Sequence, residues 1–157
     1  MHVELLLEEA SAKAALDVLL PRLLPEGATF VCHPHRGKTD LLARLPGRLK
    51  NYARVLPANA DWRVVILMDA DTDCKGRKKE LERLVAEVHL LTKTTAQPGQ
   101  KYQVITRLAV AELEAWFLGD PAAIQAAYSR VHAHHFKRIH PVPDEISDAW
   151  ETLHRVL

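Results

Sequence analysis

The most informative stretch of this sequence is residues 62–73, WRVVILMDADTD. Its apolar run, residues 64–68, has the length of a strand and is apolar on both faces, as in a parallel sheet covered by helices on each side. Three aspartates follow directly, Asp69, Asp71 and Asp73. Because parallel sheets bind their ligands at the carboxyl ends of strands, these aspartates indicate where the chemistry would lie.

Strand patterns and helix patterns alternate on both sides of this stretch. The predicted strands are 3–7, 28–32, 62–68 and 102–106. The first predicted helix begins after a Ser11 N-cap and ends at about 24, and the second begins after a Thr39 or Asp40 cap and ends at 56. Four more helices are predicted at 77–91, 110–118, 122–128 and 146–157. This alternation predicts an α/β fold with a mainly parallel four-stranded sheet, helices on both faces and extra C-terminal helices. Pro46-Gly47 is expected to break the second helix, with Pro46 opening its second half.

Length and composition restrict the class of protein. The chain has 157 residues, 48% of them hydrophobic and 26% charged, with 21 basic against 20 acidic side chains. These values fit one domain, 1–157, with a core at about 1–118 and a helical extension at about 120–157, and they exclude wholesale disorder. No apolar run is long enough to cross a membrane, and no secretory signal is evident. Two cysteines without a CxxC pattern suit a reducing cytosol, so we expect a cytoplasmic protein.

A second acidic pair extends the pattern at the strand ends. Glu8 and Glu9 directly follow the first strand, as the three aspartates follow the third. Carboxylates gathered at one edge repel one another unless a cation lies between them, and hard oxygen ligands suit Mg²⁺ or Mn²⁺. The alternative is that these are solvated loop side chains, as most acidic residues are.

Three other motifs compete for the same aspartates. A calcium loop would have Glu80 at its twelfth position, but it needs glycine where Cys74 stands and a helix where a strand precedes. A haloacid-dehalogenase-like phosphatase would place its DxD motif on the first strand. A receiver domain needs a Thr or Ser after strand four, for which Thr106 would serve, and a Lys after a fifth strand that is not evident.

The best fit is the Toprim fold, which has a Glu after strand one and an Asp-x-Asp after strand three. Residues 7–16, LEEASAKAAL, resemble the Toprim opening, and residues 65–71, VILMDAD, resemble its acidic motif. The chain further resembles a bacterial Toprim-like family known as domain of unknown function 4276. That resemblance is carried by residues 5–24, 35–42 (HRGKTDLL), 67–74 (LMDADTDC) and 111–120 (AELEAWFLGD).

The resemblance implies a three-layer Toprim-like sandwich and a relation to Toprim nucleases of the overcoming-lysogenization-defect type. It implies that Asp69 and Asp71 hold Mg²⁺ or Mn²⁺, while Glu8 acts as general acid/base or completes the metal shell. Glu9 and Asp73 would hold a second ion. It further implies a role in bacterial defence with an ABC-type or AAA-type ATPase encoded nearby. Members of this family often continue beyond a point like Leu157, so the chain is expected to be short or a fragment.

A basic segment follows the second strand. Residues 36–63 carry seven basic and two acidic side chains, and Arg44 and Arg48 share a helix face. We predict that Arg36, Lys38, Arg44 and Arg48 bind the phosphates of nucleic acid, the alternative being a solvated helix surface. His35, at the end of strand two, is a candidate to contact phosphate beside them.

Three further features lie in the C-terminal third. Glu112 and Glu114 are candidates to approach the acidic residues, but two residues apart on a helix they diverge by about 160°, so both cannot reach one ion. Trp116 and Phe117 are expected in the core rather than as a platform for bases. Four histidines would suit zinc, but no Cys or acid accompanies them and we expect them to be exposed: His132, His134, His135 and His140.

The sequence therefore predicts Mg²⁺-dependent phosphodiester chemistry on nucleic acid. The alternative is a non-catalytic Toprim-like module that binds nucleic acid or a partner ATPase. The substrate, the partner and the oligomeric state, a dimer included, are left open.

Overall fold

The computed structural model describes residues 1–70, 73–110, 112–146 and 148–157. It is an α/β protein with a four-stranded parallel sheet in the order β2-β1-β3-β4, consistent with a Toprim-like three-layer sandwich, so the predicted fold is confirmed. The strands are β1 (His2–Leu7), β2 (Thr29–Pro34), β3 (Trp62–Asp69) and β4 (Val104–Ala109).

The helices of the described residues have unequal lengths. They are α1 (Ala10–Leu23), α2 (Lys38–Val55), α3 (Cys74–Ala86), α4 (Glu114–Leu118), α5 (Pro121–Ala127) and α6 (Ala149–Val156). In the described part of the chain, none of them combines the length and the apolar character needed to cross a bilayer.

The chain forms two compact units. The first comprises Met1–Met68 and Lys75–Leu108, and the second comprises Asp69–Cys74 and Ala109–Leu157. The predicted division into a core at about 1–118 and an extension at about 120–157 stays a prediction.

The register of the sheet aligns the ends of its central strands. β1 pairs in parallel with both neighbours, and Leu7 lies opposite Pro34 of β2 and Leu67 of β3. All three strands therefore point their carboxyl ends to one edge. β4 extends the sheet beyond β3, where the Val64 amide donates to the carbonyl of Gln103.

One face of the sheet is covered by α2 and α3. Leu6 and Ile66 project from that face into a core formed with residues of the two helices. The core side chains from α2 and α3 include Leu41, Leu45, Leu49, Leu81 and Val85, all with no exposed area. α1 contacts the edge strand β2 and the central strand β1.

α2 is one continuous helix, so the predicted break at Pro46-Gly47 is wrong. Leu41, Leu45 and Leu49 recur every four residues and are fully buried. Burying three leucines contributes about 1.5–3 kcal/mol each, which exceeds the cost of about 3 kcal/mol for a proline inside a helix.

Several predicted element ends are also wrong. Ser11 does not cap α1, because its hydroxyl donates to Glu9, which itself occupies the N-cap position. α2 begins after Gly37, whose φ of +86° favours glycine, rather than at a Thr39 or Asp40 cap. α3 ends at Ala86, before the backbone turns through a φ of +59° at His89.

The second unit has its own small core, built by α4, α5, α6 and the segments between them. Its buried side chains are Ala115, Leu118, Ile124, Val131, Ile146, Ala149 and Val156. Trp116 and Phe117 are 43% and 38% exposed, so their predicted place in the core is wrong. α4 buries Ala115 and Leu118, three residues apart, and the two residues between them face away.

The two cysteines differ in their surroundings. Cys32 in β2 is buried, whereas Cys74 at the start of α3 is half-buried, and both are free thiols. Burial raises the pKa of the Cys32 thiol to about 11, and the nearby Asp17 carboxylate contributes in the same direction. Cys32 is therefore a core side chain of low reactivity.

Candidate functional site

Two of the predicted acidic residues belong to the ends of neighbouring strands. Glu8 directly follows β1, and Asp69 is the last residue of β3. β1 and β3 are paired in parallel, so both strands end at the same edge of the sheet. The placement of these two residues after strands one and three agrees with the sequence pattern. Asp71 lies outside the described residues.

The other two predicted metal ligands each directly precede a helix. Glu9 is exposed, forms the N-cap of α1 and accepts a hydrogen bond from Ser11 at 2.8 Å. Asp73 is exposed, and its amide donates to the carbonyl of Ala70 just before α3. Among the residues that the structure describes, no three His, Cys, Asp or Glu side chains converge in a way that could hold a metal ion.

The loop after β2 is joined to the end of β1 by hydrogen bonds. The amide and Nδ1 of His35 lie 3.0 Å and 2.8 Å from the carbonyl oxygen of Leu7. The amide of Gly37 donates to the carbonyl of Glu8 at 2.9 Å. These bonds fix the backbone on either side of Glu8 and place the start of α2 next to it.

His35 carries a nitrogen atom whose hydrogen-bonding capacity is unused. The side chain is buried, with 7% of its residue area exposed, and Nε2 has no partner within the described part of the chain. Because the Leu7 carbonyl can only accept, Nδ1 carries a proton, and in the neutral ring Nε2 presents a lone pair. A buried acceptor without a donor is costly, and such groups recur where a water, an ion or a ligand binds.

The two ring nitrogens of His35 can be separated by substitution. His35→Asn keeps an N–H donor near the position of Nδ1 and removes Nε2, whereas His35→Ala removes both. We expect His35→Ala to lower the free energy of unfolding by about 2 kcal/mol and His35→Asn by about half as much. Urea denaturation measures both values. Equal losses in the two variants would show that the bond to Leu7 contributes nothing.

The four predicted phosphate-binding residues do not share one environment. Arg36 is exposed, and Lys38 is the first residue of α2. Arg44 is also exposed and donates from Nε to Asp40 at 2.5 Å. Arg48 is half-buried and lies close to the Tyr52 hydroxyl. Burial raises the pKa of Tyr52, and the charge of Arg48 offsets part of that rise. Arg36 and Arg44 therefore present their side chains to solvent, while Arg48 lies beside Tyr52.

Asp40 neutralises part of this basic surface. It accepts from the Arg44 side chain and, at 3.1 Å, from the amide of Arg36. The Arg44 hydrogen bond, assisted by the Arg36 amide, holds the pKa of the Asp40 carboxyl below its usual range. At neutral pH Asp40 is ionised, and an incoming phosphate must compete with it for Arg44.

Sequence reasoning missed a polar cluster in the middle of β1. The Glu4 carboxylate accepts hydrogen bonds from His2 Nε2 at 2.8 Å, His33 Nε2 at 2.5 Å and the Tyr52 hydroxyl at 2.9 Å. Its side chain is 12% exposed. The four residues, called the Glu4 cluster below, join β1, β2 and α2. A glutamate inside an otherwise apolar strand, which must find partners when buried, was the signal available in the sequence.

The Glu4 cluster perturbs two ionisable groups. Burial raises the pKa of Glu4, but the hydrogen bonds from His2, His33 and Tyr52 together lower it by more than burial raises it. The pKa of Glu4 therefore lies below its usual value. The pKa of Tyr52 is raised by burial and by the Glu4 carboxylate. Glu4 is therefore held as an anion that Tyr52 and the two histidines solvate.

A second internal carboxylate belongs to α3 itself. Glu82 accepts from the hydroxyls of Thr92 and Thr106, and Lys78 Nζ lies 2.7 Å from its Oε1. Thr106 is 1% exposed and directed toward α3. The Thr106 hydroxyl therefore already donates its proton to Glu82 within the fold.

In the second unit, Glu112 has a structural contact of its own. Its Oε2 accepts a hydrogen bond from the amide of Trp150 at 2.7 Å, in the first turn of α6. Glu114 begins α4. His132, His134, His135 and His140 are exposed, as predicted.

One protein family matches the sequence. Its description is domain of unknown function (DUF4276), and the match covers residues 7–157. The chain belongs to this family. No curated protein and no solved structure matched in the other two comparisons. The DUF4276 match includes both acidic strand ends, the basic helix α2 and the second unit, so every predicted residue lies within the family's domain.

Proposed function

We propose that this DUF4276 protein is a Toprim-like, Mg²⁺- or Mn²⁺-dependent nuclease of the bacterial cytoplasm. The observation that carries the proposal is the parallel pairing of β1 with β3, with Glu8 following one strand and Asp69 ending the other. Parallel sheets bind their ligands at this edge. A role in defence alongside an ABC-type or AAA-type ATPase belongs to the same proposal.

The donor atoms suit the proposed ion. Carboxylate oxygens are the ligands that Mg²⁺ and Mn²⁺ prefer, and the chain concentrates them after β1 and β3. Asp69 and Asp71 would hold one ion, and Glu9 with Asp73 a second. A bound ion of this kind lowers the pKa of water and stabilises negative charge on a phosphate.

The chain's own residues would supply the rest of the chemistry. Glu8 would transfer a proton as general acid/base, with its backbone fixed by the bond from Gly37. His35 Nε2, a buried lone pair one loop away, would accept a hydrogen bond from a water molecule and orient it. Arg36, which precedes α2, and Lys38, its first residue, would contact the phosphate.

Cleavage of labelled oligonucleotides tests the proposal. Single- and double-stranded DNA and RNA are incubated with the chain in Mg²⁺, Mn²⁺, Ca²⁺ or EDTA. We expect products with Mg²⁺ or Mn²⁺ and none with EDTA, and Mn²⁺ should raise the melting temperature because it binds only the folded chain. Intact oligonucleotides in every condition, together with an unchanged melting temperature, would contradict the proposal.

A second candidate function is favoured by the surface of the second unit. Trp116, Phe117 and Trp150 are 43%, 38% and 55% exposed. Exposed aromatic side chains are enriched where proteins bind other proteins. The alternative is therefore a non-catalytic Toprim-like module that binds a partner ATPase or nucleic acid. Binding of nucleic acid without cleavage, in the same assay, would favour it.

The basic surface can be tested with a matched pair of arginines. Arg44 on α2 and Arg83 on α3 are 63% and 62% exposed, and each pairs with a carboxylate four residues away. We expect Arg44→Gln to weaken duplex binding and to reduce the salt slope by about 0.9, whereas Arg83→Gln leaves both unchanged. Fluorescence anisotropy at several salt concentrations gives the slopes. Equal effects would indicate attraction without a defined surface.

A further inference from the structure

The second unit contains a cavity that the proposed nuclease function does not use. Its volume is about 410 Å³. Ile146, Thr152 and Val156 form a buried floor, each about 6% exposed. Exposed side chains of higher polarity surround this floor, including Arg138 and Arg155. A pocket of this size and mixed lining is typical of a small-ligand site.

The lining offers hydrogen-bond donors for which the described residues supply no acceptor. His135 Nδ1 accepts the amide of His132 at 2.9 Å, so the ring carries its proton on Nε2 and can donate it. Thr152 Oγ1 accepts from Arg155 at 2.9 Å, which leaves the hydroxyl proton for another acceptor. Within the described ranges, Arg138 forms no ion pair, and its guanidinium contributes only donors.

The acceptors of the lining, by contrast, already have partners. The carboxylate of Glu145 lies 3.2 Å from His140 Nε2. The carboxylate of Asp148 lies 3.6 Å from Arg155, in a pair exposed enough to be weak. The pocket lining therefore offers more hydrogen-bond donors than acceptors. A ligand rich in acceptor oxygens would pair with those donors.

The formal charges of the lining balance, with Arg138 and Arg155 against Glu145 and Asp148, but one wall of the pocket is basic. Residues 121–143 contain no Asp or Glu but include Arg130, Lys137 and Arg138, together with four histidines. The pKa of His134 is lowered, chiefly by the neighbouring His135, with burial, His132 and Lys137 contributing in the same direction. Positive charge is thus concentrated along the segment that forms one wall of the pocket.

We propose that this pocket binds a phosphate-bearing ligand. Arg138 and Arg155 would pair with the phosphate oxygens, His135 and Thr152 would donate to them, and Ile146 and Val156 would contact the attached organic group. The phosphate comes either from a nucleoside monophosphate or from the 5′ end of a nucleic-acid strand. The proposal does not depend on the metal chemistry at the sheet edge.

Nuclear magnetic resonance titration of the ¹⁵N-labelled full chain tests this inference, with EDTA present so that no metal contributes. The probes are inorganic phosphate, adenosine 5′-monophosphate, and short single strands with and without a 5′-phosphate. We expect saturable shifts of the Thr152 and Arg155 amides with the phosphomonoesters. Arg138→Gln and Arg155→Gln should each raise the Kd about tenfold or more. Lys137→Gln removes an adjacent charge that does not line the pocket, and it should change the Kd less than about twofold.

Each outcome decides the proposal. Tighter binding of the monophosphate identifies a nucleotide pocket, and tighter binding of the phosphorylated strand identifies a strand-end pocket, and both support it. Equal binding of strands with and without a 5′-phosphate, together with no saturable binding of the monophosphate, overturns it. Shifts that do not saturate, or a loss with Lys137→Gln as large as that with Arg138→Gln, also overturn it, because they indicate diffuse attraction. A dispersed amide spectrum confirms that each variant is folded.

Discussion

Replacing Glu4 with alanine is expected to lower the free energy of unfolding by about 3 kcal/mol. The variant leaves the donors of His2, His33 and Tyr52 without their common acceptor inside the fold. It also removes the side-chain hydrogen bonds that connect β1 with β2 and α2 in addition to the pairing of the strands. Urea denaturation at neutral pH measures the loss. Glu26→Ala, at an exposed glutamate, is the control and should change stability by less than about 0.5 kcal/mol.

The same cluster predicts a pH dependence. The pKa of Glu4 is lower in the folded chain than its ordinary value of about 4.3, so its ionisation stabilises the fold above that value. This stabilisation is lost as the pH falls through the lowered pKa. Glu4→Gln, which cannot ionise, should therefore lose less stability than the wild type on acidification from about pH 5. Parallel acid titrations of the two proteins would contradict this account.

Replacing Asp69 with asparagine is expected to reduce the rate of metal-dependent cleavage by about 10³-fold or more. An amide keeps the shape of the carboxylate but loses the charge that would hold the ion. Single-turnover cleavage in Mn²⁺ measures the loss, and the rise in melting temperature with Mn²⁺ should disappear with it.

The control for Asp69 is an aspartate outside the sheet. Asp144 is exposed and lies before α6. Asp144→Asn should cleave and respond to Mn²⁺ as the wild type does. If Asp69→Asn retains both properties, the ion binds elsewhere and the proposed role of the β3 end is wrong.

The sheet was predictable because its strands carry a strong and local signal. Residues 64–68 are apolar at every position, and the structure places them in β3, between two neighbouring strands. The same signal located Glu8 and Asp69, since a strand's end in the sequence is its end in the sheet. Continuous apolar runs thus predict both the parallel sheet and the edge where its chemistry would lie.

Predictions made from residue types alone were wrong where the packing of a helix decided the structure. Pro46 does not break α2, because the three leucines on its buried face gain more than the proline costs. Trp116 and Phe117 are exposed because α4 is only five residues long and buries its smaller side chains. In both cases, the deciding quantity was the surface that the helix covers, which the residue types alone do not specify.

The Glu4 cluster was missed for a different reason. His33 and Tyr52 lie 29 and 48 residues from Glu4 in the chain, so no local pattern joins them. Only the pairing of β1 with β2 and the packing of α2 bring them together. Such clusters depend on tertiary structure, whereas the acidic strand ends depend on element order.

The contrast between the two cysteines makes the protein convenient for site-specific labelling. Maleimides and iodoacetamides react with the thiolate, and at pH 7.5 a thiol with a pKa of about 11 is ionised in fewer than one molecule in about a thousand. Cys32 is buried as well, so a fluorophore or spin label should attach at Cys74. Cys74 begins α3, next to Asp73. A label there reports from beside Asp73 in the unaltered sequence, and Cys32 need not be replaced.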